Sequence, residues 1–324
     1  MLPRKSLWFV AVAALITAAA GVRASEISYA GGWGSYGGGQ GQFNYPRGVT
    51  VAPDSKVYVA DAANHRIQYF TPEGSYLGGW GSYGTGNGNF DYPRAIAFSG
   101  ARVYVTDTYN HRIQYFTLTG GYLGKWGSLG EGDGQFNDPR GIAITSTGTV
   151  YVADSLNHRI QYFTADGSFL GKWGSYGTAP GQFYMPTGLC ITPGGVIYVC
   201  DMTNDRVQYF TLTGSFLGTW GSFGTGNGQF QGPICCALAP YDIIYVSDMH
   251  NDCVQYFTPT GSFLGKWGSY GSGIGEFYRP WGLSINANGT LIYVVDSFNH
   301  RVQYFAYSSS VKGYTFGRIK ALFK

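Results

Sequence analysis

The sequence predicts an all-β chain built from one four-stranded unit repeated six times, and three observations carry that prediction. The phrase Asp154-Ser155-Leu156-Asn157-His158-Arg159-Ile160-Gln161-Tyr162-Phe163 returns with small edits from Asp61, Asp107, Asp201, Asp248 and Asp296. A second phrase, Trp-Gly-Ser, begins at Trp33, Trp80, Trp126, Trp173, Trp220 and Trp267, so a unit of about 47 residues fills most of the chain. The composition, 17% aromatic with 51 glycines and 13 prolines among 324 residues, favours short strands and tight turns over helices. Units of this kind cannot bury their apolar faces alone, so the repeats make one domain.

In chain order, Arg4 and Lys5 precede an uncharged, mostly apolar run from Leu7 to Val22, and Val22-Arg23-Ala24 offers small residues at the positions a signal peptidase reads. Residues 1–24 therefore read as a secretory signal peptide with Ser25 as the mature start, since the run falls short of the roughly 20 residues that span a bilayer. The expected location is extracytoplasmic: secreted, periplasmic or at the cell surface.

The repeat region, 25–305, comes next. In its first unit, strand a (47–51) follows a proline, strand b (56–60) reads K-V-Y-V-A, strand c (66–70) reads R-I-Q-Y-F, and strand d (76–80) follows a Pro-Glu-Gly turn. Turn residues fill 52–55 and 71–74, and a glycine-rich connection from Gly81 to Tyr92 leads to the next strand a. Four antiparallel strands repeated six times is the pattern of a six-bladed β-propeller. The chain opens with a strand-d phrase, Ile27 to Trp33, and its sixth unit stops after strand c at Phe305. Residues 27–33 are therefore expected to complete the last blade and close the ring, leaving no open edge. The competing candidate for that place is Gly313 to Gly317. Residues 306–324 form a short basic tail, either a frayed terminus or a sorting or attachment segment.

The succession G-x-F-x-x-P-x-G, then V-Y-V-A-D-x-x-N-H-R-I-Q-Y-F, resembles the NHL-repeat family from about Gly31 to Phe305 in all six units. The resemblance implies a six-bladed propeller with a binding surface, and it implies no single chemistry, because fold and function separate readily.

Charge narrows the partners. Without Arg4, Lys5 and Arg23 the 21 basic residues become 18, equal to the 18 acidic ones, and the tail holds Lys312, Arg318, Lys320 and Lys324. The repeat region is thus slightly acidic, a poor match for nucleic acid. No second transmembrane segment is visible, and a monomer is expected. The five cysteines, Cys190, Cys200, Cys235, Cys236 and Cys253, have no zinc-ligand spacing. An exported chain permits disulfides, so Cys253 either bonds to Cys235 or Cys236, or these are buried free thiols.

Alternating strand direction puts the b–c turns, the d-to-a loops and the start of each strand a on one face, the candidate working face. Features present in every blade, the Asp-x-x-Asn-x-Arg turn above all, are expected to hold blades together, and function to lie where copies differ. After the strand-a proline the blades carry Arg47, Arg94, Arg140, Thr187, Ile234 and Trp281. Between the motif Asn and Arg they carry His65, His111, His158, Asp205, Asp252 and His300. The face should be basic over blades one to three and more acidic over four and five. Arg47, Arg94 and Arg140 could hold a carboxylate, sulfate or phosphate, with Trp281 as an apolar wall across the channel. His65, His111 and His158 join them as candidate ligand-binding residues.

The leading functional expectation is a non-enzymatic binding module for a protein, peptide or glycan, without catalytic residue, metal or cofactor. The alternative is a metal-dependent lyase similar to peptidyl-hydroxyglycine amidating lyase, which uses zinc on such a propeller. Its site wants several converging histidines, whereas His65, His111, His158 and His300 occupy one repeated turn position and should spread around the ring, leaving His250 apart.

Overall fold

A computed structural model describes residues 27–307. The signal-peptide reading of 1–24, the tail from 308 onward and the alternative closing segment Gly313–Gly317 lie outside the described residues. No helix among the described residues is long and apolar enough to cross a membrane.

The described chain folds into six four-stranded antiparallel sheets, each running a-b-c-d from the centre outward. Blade one comprises Pro46–Val51, Val57–Asp61, Arg66–Phe70 and Tyr76–Trp80, within a residue of the ranges expected from sequence. Blades two to five span 93–126, 139–173, 186–220 and 233–267 in the same way. The sixth takes Pro280–Ile285, Leu291–Asp296 and Arg301–Tyr307 as its inner strands and Ile27–Trp33 as its outer one. Gly32 pairs with Gln303 and Trp33 with Val302, so the first described residues close the ring on the last.

The repeated aromatic residues make the joints. Each strand b carries a buried tyrosine stacked on the strand-c tyrosine, as Tyr58 on Tyr69 with centroids 5.3 Å apart. The Tyr58 hydroxyl donates to Leu118 O in the c–d turn of the next blade at 2.9 Å, and Tyr293 does the same to Pro72 O across the closure. Five of the six motif tryptophans pack on the glycine of that same neighbouring turn, and Trp267, whose neighbour blade six has no such turn among the described residues, packs on Phe305. Trp80 lies against Gly120, whose φ of 90° also demands glycine, so any side chain there meets both ring and strain. Strand-a backbones approach closely near the axis: a Cβ on Gly141 would collide with Thr187 O. Buried side chains of adjacent blades form continuous cores between sheets, as Val49, Val57 and Phe70 of blade one do with Tyr293, Val295 and Val302 of blade six.

Candidate functional site

The working face is built on the repeated turn. After strand b, residues Ala62–Asn64 make one 3-10 turn that ends on His65 in the left-handed region, φ 54°. Asp61 is fully buried and accepts from Asn44 N, Asn64 Nδ2, Arg66 Nε and Gln68 Nε2. Arg66 spends its other donors on Gly38 O, Gly39 O and Gln42 O, which fixes the glycine-rich loop. The same network recurs around Asp107, Asp154, Asp201 and Asp296. Desolvation pushes each of these carboxyls above the usual value, against the hydrogen bonds and guanidinium that lower it. The motif is a frame.

The candidate histidines belong to that frame, which corrects the expectation of a basic half-face. His65 Nδ1 accepts from Tyr92 N, His111 from Asp138 N, His158 from Met185 N and His300 from Tyr45 N, each on the following blade. Asp205 and Asp252 do the same work with Oδ1, toward Gly232 N and Arg279 N. Burial lowers the pKa of His158 and His300, which favours the neutral ring whose Nδ1 can accept. Histidine and aspartate interchange here because both tolerate left-handed φ and both present an acceptor. The latched residues Tyr45, Tyr92, Asp138, Met185 and Arg279 are themselves at positive φ. Four imidazoles at four different blade junctions do not meet. Among the described residues no group of three or more His, Cys, Asp or Glu is placed to hold a metal ion.

The residues after the strand-a proline do surround the channel mouth, as expected. Arg47, Arg94, Arg140, Thr187, Ile234 and Trp281 line a central cavity of about 500 Å³. Two details differ. Trp281 in blade six stands across the channel from Arg140 in blade three, but ring closure also makes it the neighbour of blade one, and the Arg47 guanidinium lies 3.8 Å from the centre of its ring. The arc is also partly neutralised, by Asp138. Arg140 donates to Asp138 Oδ2 from Nε and Nη2, at 2.8 and 2.5 Å, and Arg94 Nη1 stands 3.5 Å from Asp138 Oδ1. Arg47 donates to Tyr92 OH and Ser297 Oγ, and Arg94 to Tyr109 OH at 3.4 Å. Burial lowers the pKa of Arg47 and Arg140, each further lowered by Arg94. Sequence reasoning missed Asp138, although a signal existed: the residue before the strand-a proline also differs among copies, as Tyr45, Tyr92, Asp138, Met185, Gly232 and Arg279.

Outside the mouth, the third residue after each motif tryptophan forms a ring that sequence reasoning also missed. Tyr36, Tyr83, Leu129, Tyr176, Phe223 and Tyr270 sit one per blade on the loops of this face, 61–71% exposed. Three lean edge-on against the latch histidines, His65 to Tyr83 at 4.9 Å for example.

Blade five departs from the frame, and of the two readings of its cysteines, a Cys253 disulfide or free thiols, the structure has the second. All five cysteines are free. Cys235 faces Ser247 across strands a and b, and Cys253 faces Asp248 across b and c. Cys253 is therefore about two strand spacings, roughly 9–10 Å, from Cys235 and Cys236, beyond disulfide reach. Burial pushes the Cys235 and Cys253 thiols up to about 12, so neither is a ready nucleophile. Cys190, Cys200 and Cys236 share the apolar core between blades four and five. Where Cys253 replaces the motif arginine, Lys266 Nζ reaches the loop at Thr225 O, 3.3 Å away, and Asp248 lacks a guanidinium. Burial raises the Asp248 carboxyl to about 6.

Comparison with known proteins agrees with this geometry. The NHL repeat model matches residues 43–70, 90–116, 136–163 and 183–210, and a model described as a 6-bladed beta-propeller matches 236–316. No curated protein matches the sequence. Among solved structures, the chain is similar to a gluconolactonase from Xanthomonas campestris, with 13% identity, TM-score 0.62, and coverage of 82% of this chain and 87% of that one. It is similar to virginiamycin B lyase from Staphylococcus aureus, with 15% identity, TM-score 0.56, and coverage of 81% and 94%. A chain of the nidogen/laminin complex gives 16% identity, TM-score 0.58, and coverage of 74% and 84%. At these identities the likeness is one of fold.

Proposed function

Since this chain is an NHL-repeat six-bladed β-propeller, we propose that it is an exported, non-enzymatic binding module presenting its loop face to a protein, peptide or glycan. The observation that carries the reading is the ring of six exposed, large apolar side chains on that face. Such side chains scattered singly need no explanation, but six at one repeated position, on loops already pinned by arginine and glutamine, hold a preorganised surface in water. A ligand meeting several blades at once gains from each contact without new ordering cost.

Enzymes share this fold, and the lyase alternative needs histidines converging on one ion. In this chain four imidazoles each hold a different blade junction, which argues for binding over metal chemistry. Two measurements on residues 25–324 test the reading. Elemental analysis of protein purified without chelators should find no stoichiometric zinc; one zinc per chain would overturn the ranking. Glycan and peptide arrays should then yield a ligand whose binding is lost when Tyr83, Tyr176 and Phe223 are changed together to Ser with the melting temperature kept. Undiminished binding by that variant would remove the loop ring from the function.

A further inference from the structure

The channel mouth carries more positive charge than it neutralises. Three guanidinium groups stand around it, and Asp138 is the carboxylate among them, held by Arg140 and faced by Arg94. The partners of Arg47 are all neutral: Tyr92 OH, Ser297 Oγ and the face of Trp281. Arg47 and Arg94 are each only 9% exposed. Even so, Arg47 Nε, Arg94 Nε and Arg94 Nη1 have no hydrogen-bond partner. A fourth cation, Arg279, lies on the rim over Phe298, 4.7 Å from the ring. The acidic latch residues of blades four and five, Asp205 and Asp252, do not line the cavity; they accept from Gly232 N and Arg279 N, and the charge of Arg279 acts on Asp252.

Buried guanidinium donors without acceptors are costly, and an anion that accepts from them removes the cost. Frame arginines in the same protein place Nε on a carboxylate and their outer nitrogens on loop carbonyls, so although the neutral indole N–H of each motif tryptophan is also left without a partner, the idle charged donors are at the mouth. The surplus of two positive charges over Asp138 matches a divalent oxyanion better than a single carboxylate. The aromatic groups beside the arginines, Trp281, Tyr92 and Tyr109, lower the local dielectric and strengthen the attraction.

We propose that the channel mouth over blades one and two binds a sulfate- or phosphate-type head group of the ligand, with Arg47 and Arg94 as its donors and the Arg140–Asp138 pair as a fixed wall. This rests on the reading of the loop face as the binding surface, and it adds the charge of the ligand. The apolar ring then receives the body of the ligand while the mouth takes its anionic group.

The test titrates inorganic sulfate, phosphate and acetate, each against chloride at fixed ionic strength, into the mature protein, read by calorimetry and thermal unfolding. Sulfate and phosphate should bind, with acetate weaker by at least about tenfold. Whichever of the two dianions binds tighter separates a sulfate-type from a phosphate-type ligand. Arg94→Met should melt close to the parent in chloride, because Asp138 keeps its two bonds from Arg140 and the lost bond to Tyr109 OH is long, and should bind sulfate at least about tenfold more weakly. Arg47→Met serves as the second variant and should lose sulfate binding too. The general stabilisation that sulfate gives any protein survives in both variants, so the difference from the parent is the readout. No dianion binding by the parent, or undiminished binding by both variants, would overturn the proposal. That failure leaves the reading from the aromatic ring standing, because the array experiment on Tyr83, Tyr176 and Phe223 does not involve the mouth.

Discussion

Two sets of arginines occur in each of the first three blades, Arg47, Arg94 and Arg140 at the mouth and Arg66, Arg112 and Arg159 in the repeated turn, and they are solved differently. Arg159, in the repeated turn, is 8% exposed at its side chain and satisfied throughout: Nε to Asp154 Oδ2, Nη1 to Glu131 O, Nη2 to Gly132 O and Gln135 O. Arg94, at the channel mouth, is as deeply placed, yet its Nε and Nη1 have no hydrogen-bond partner, and its bond to Tyr109 OH is long at 3.4 Å. Burial alone does not distinguish frame from site. Between these two arginines, satisfaction of donors does, because a charged donor left idle in the interior keeps its desolvation cost.

The comparison breaks most visibly if a frame arginine is removed. Arg159→Met should cost about 3 kcal/mol, since it leaves the fully buried Asp154 without its cation and frees the loop carbonyls. Urea unfolding of the variant against the parent measures this. The reverse change in blade five supplies what that blade lacks. Cys253→Arg should stabilise by about 1–3 kcal/mol and bring the Asp248 carboxyl down from about 6. The sign with pH follows from the raised value. A carboxyl near 6 folded and 3.8 unfolded favours folding fully below pH 3.8, and that advantage disappears as pH rises through 6, a difference of about 3 kcal/mol. Parent stability minus variant stability should therefore fall between pH 4 and pH 6.5; a flat difference would show that Asp248 does not titrate there. A smaller effect belongs to the latch. His158→Ala should cost about 1–2 kcal/mol by orphaning Met185 N, whereas His158→Asp should stay near the parent, as Asp205 already serves blade four.

Much of the frame was legible because the chain states it six times. Repetition fixed the blade number and the strands, and the unpaired phrases at the two ends gave the closure through Ile27–Trp33 and Arg301–Tyr307. The arginine arc was legible as a place, since copies disagree there. Its chemistry was not. Asp138, at a left-handed φ of 58°, pairs with Arg140 two residues on, and the other blades give no hint of that pair, with Tyr, Met, Gly or Arg at that position. The imidazoles looked like surface bases until their Nδ1 atoms were seen to accept from the next blade, a contact about 27 residues distant in sequence. Ring closure brought Trp281 against Arg47 as well as opposite Arg140. The cysteines stayed apart because strand b separates Cys253 from Cys235 and Cys236. Local pattern gives the repeat, and contacts between neighbouring repeats decide which polar groups are left over.

The most direct test sets the two arginines side by side. Arg94→Met and Arg159→Met are unfolded by urea in chloride buffer at pH 7, with the parent as reference. The account predicts a loss of about 3 kcal/mol for Arg159→Met and at most about 1 kcal/mol for Arg94→Met, since the second removes one long bond to Tyr109 OH and leaves Asp138 paired with Arg140. Equal losses would contradict it, showing that the mouth arginines are frame after all.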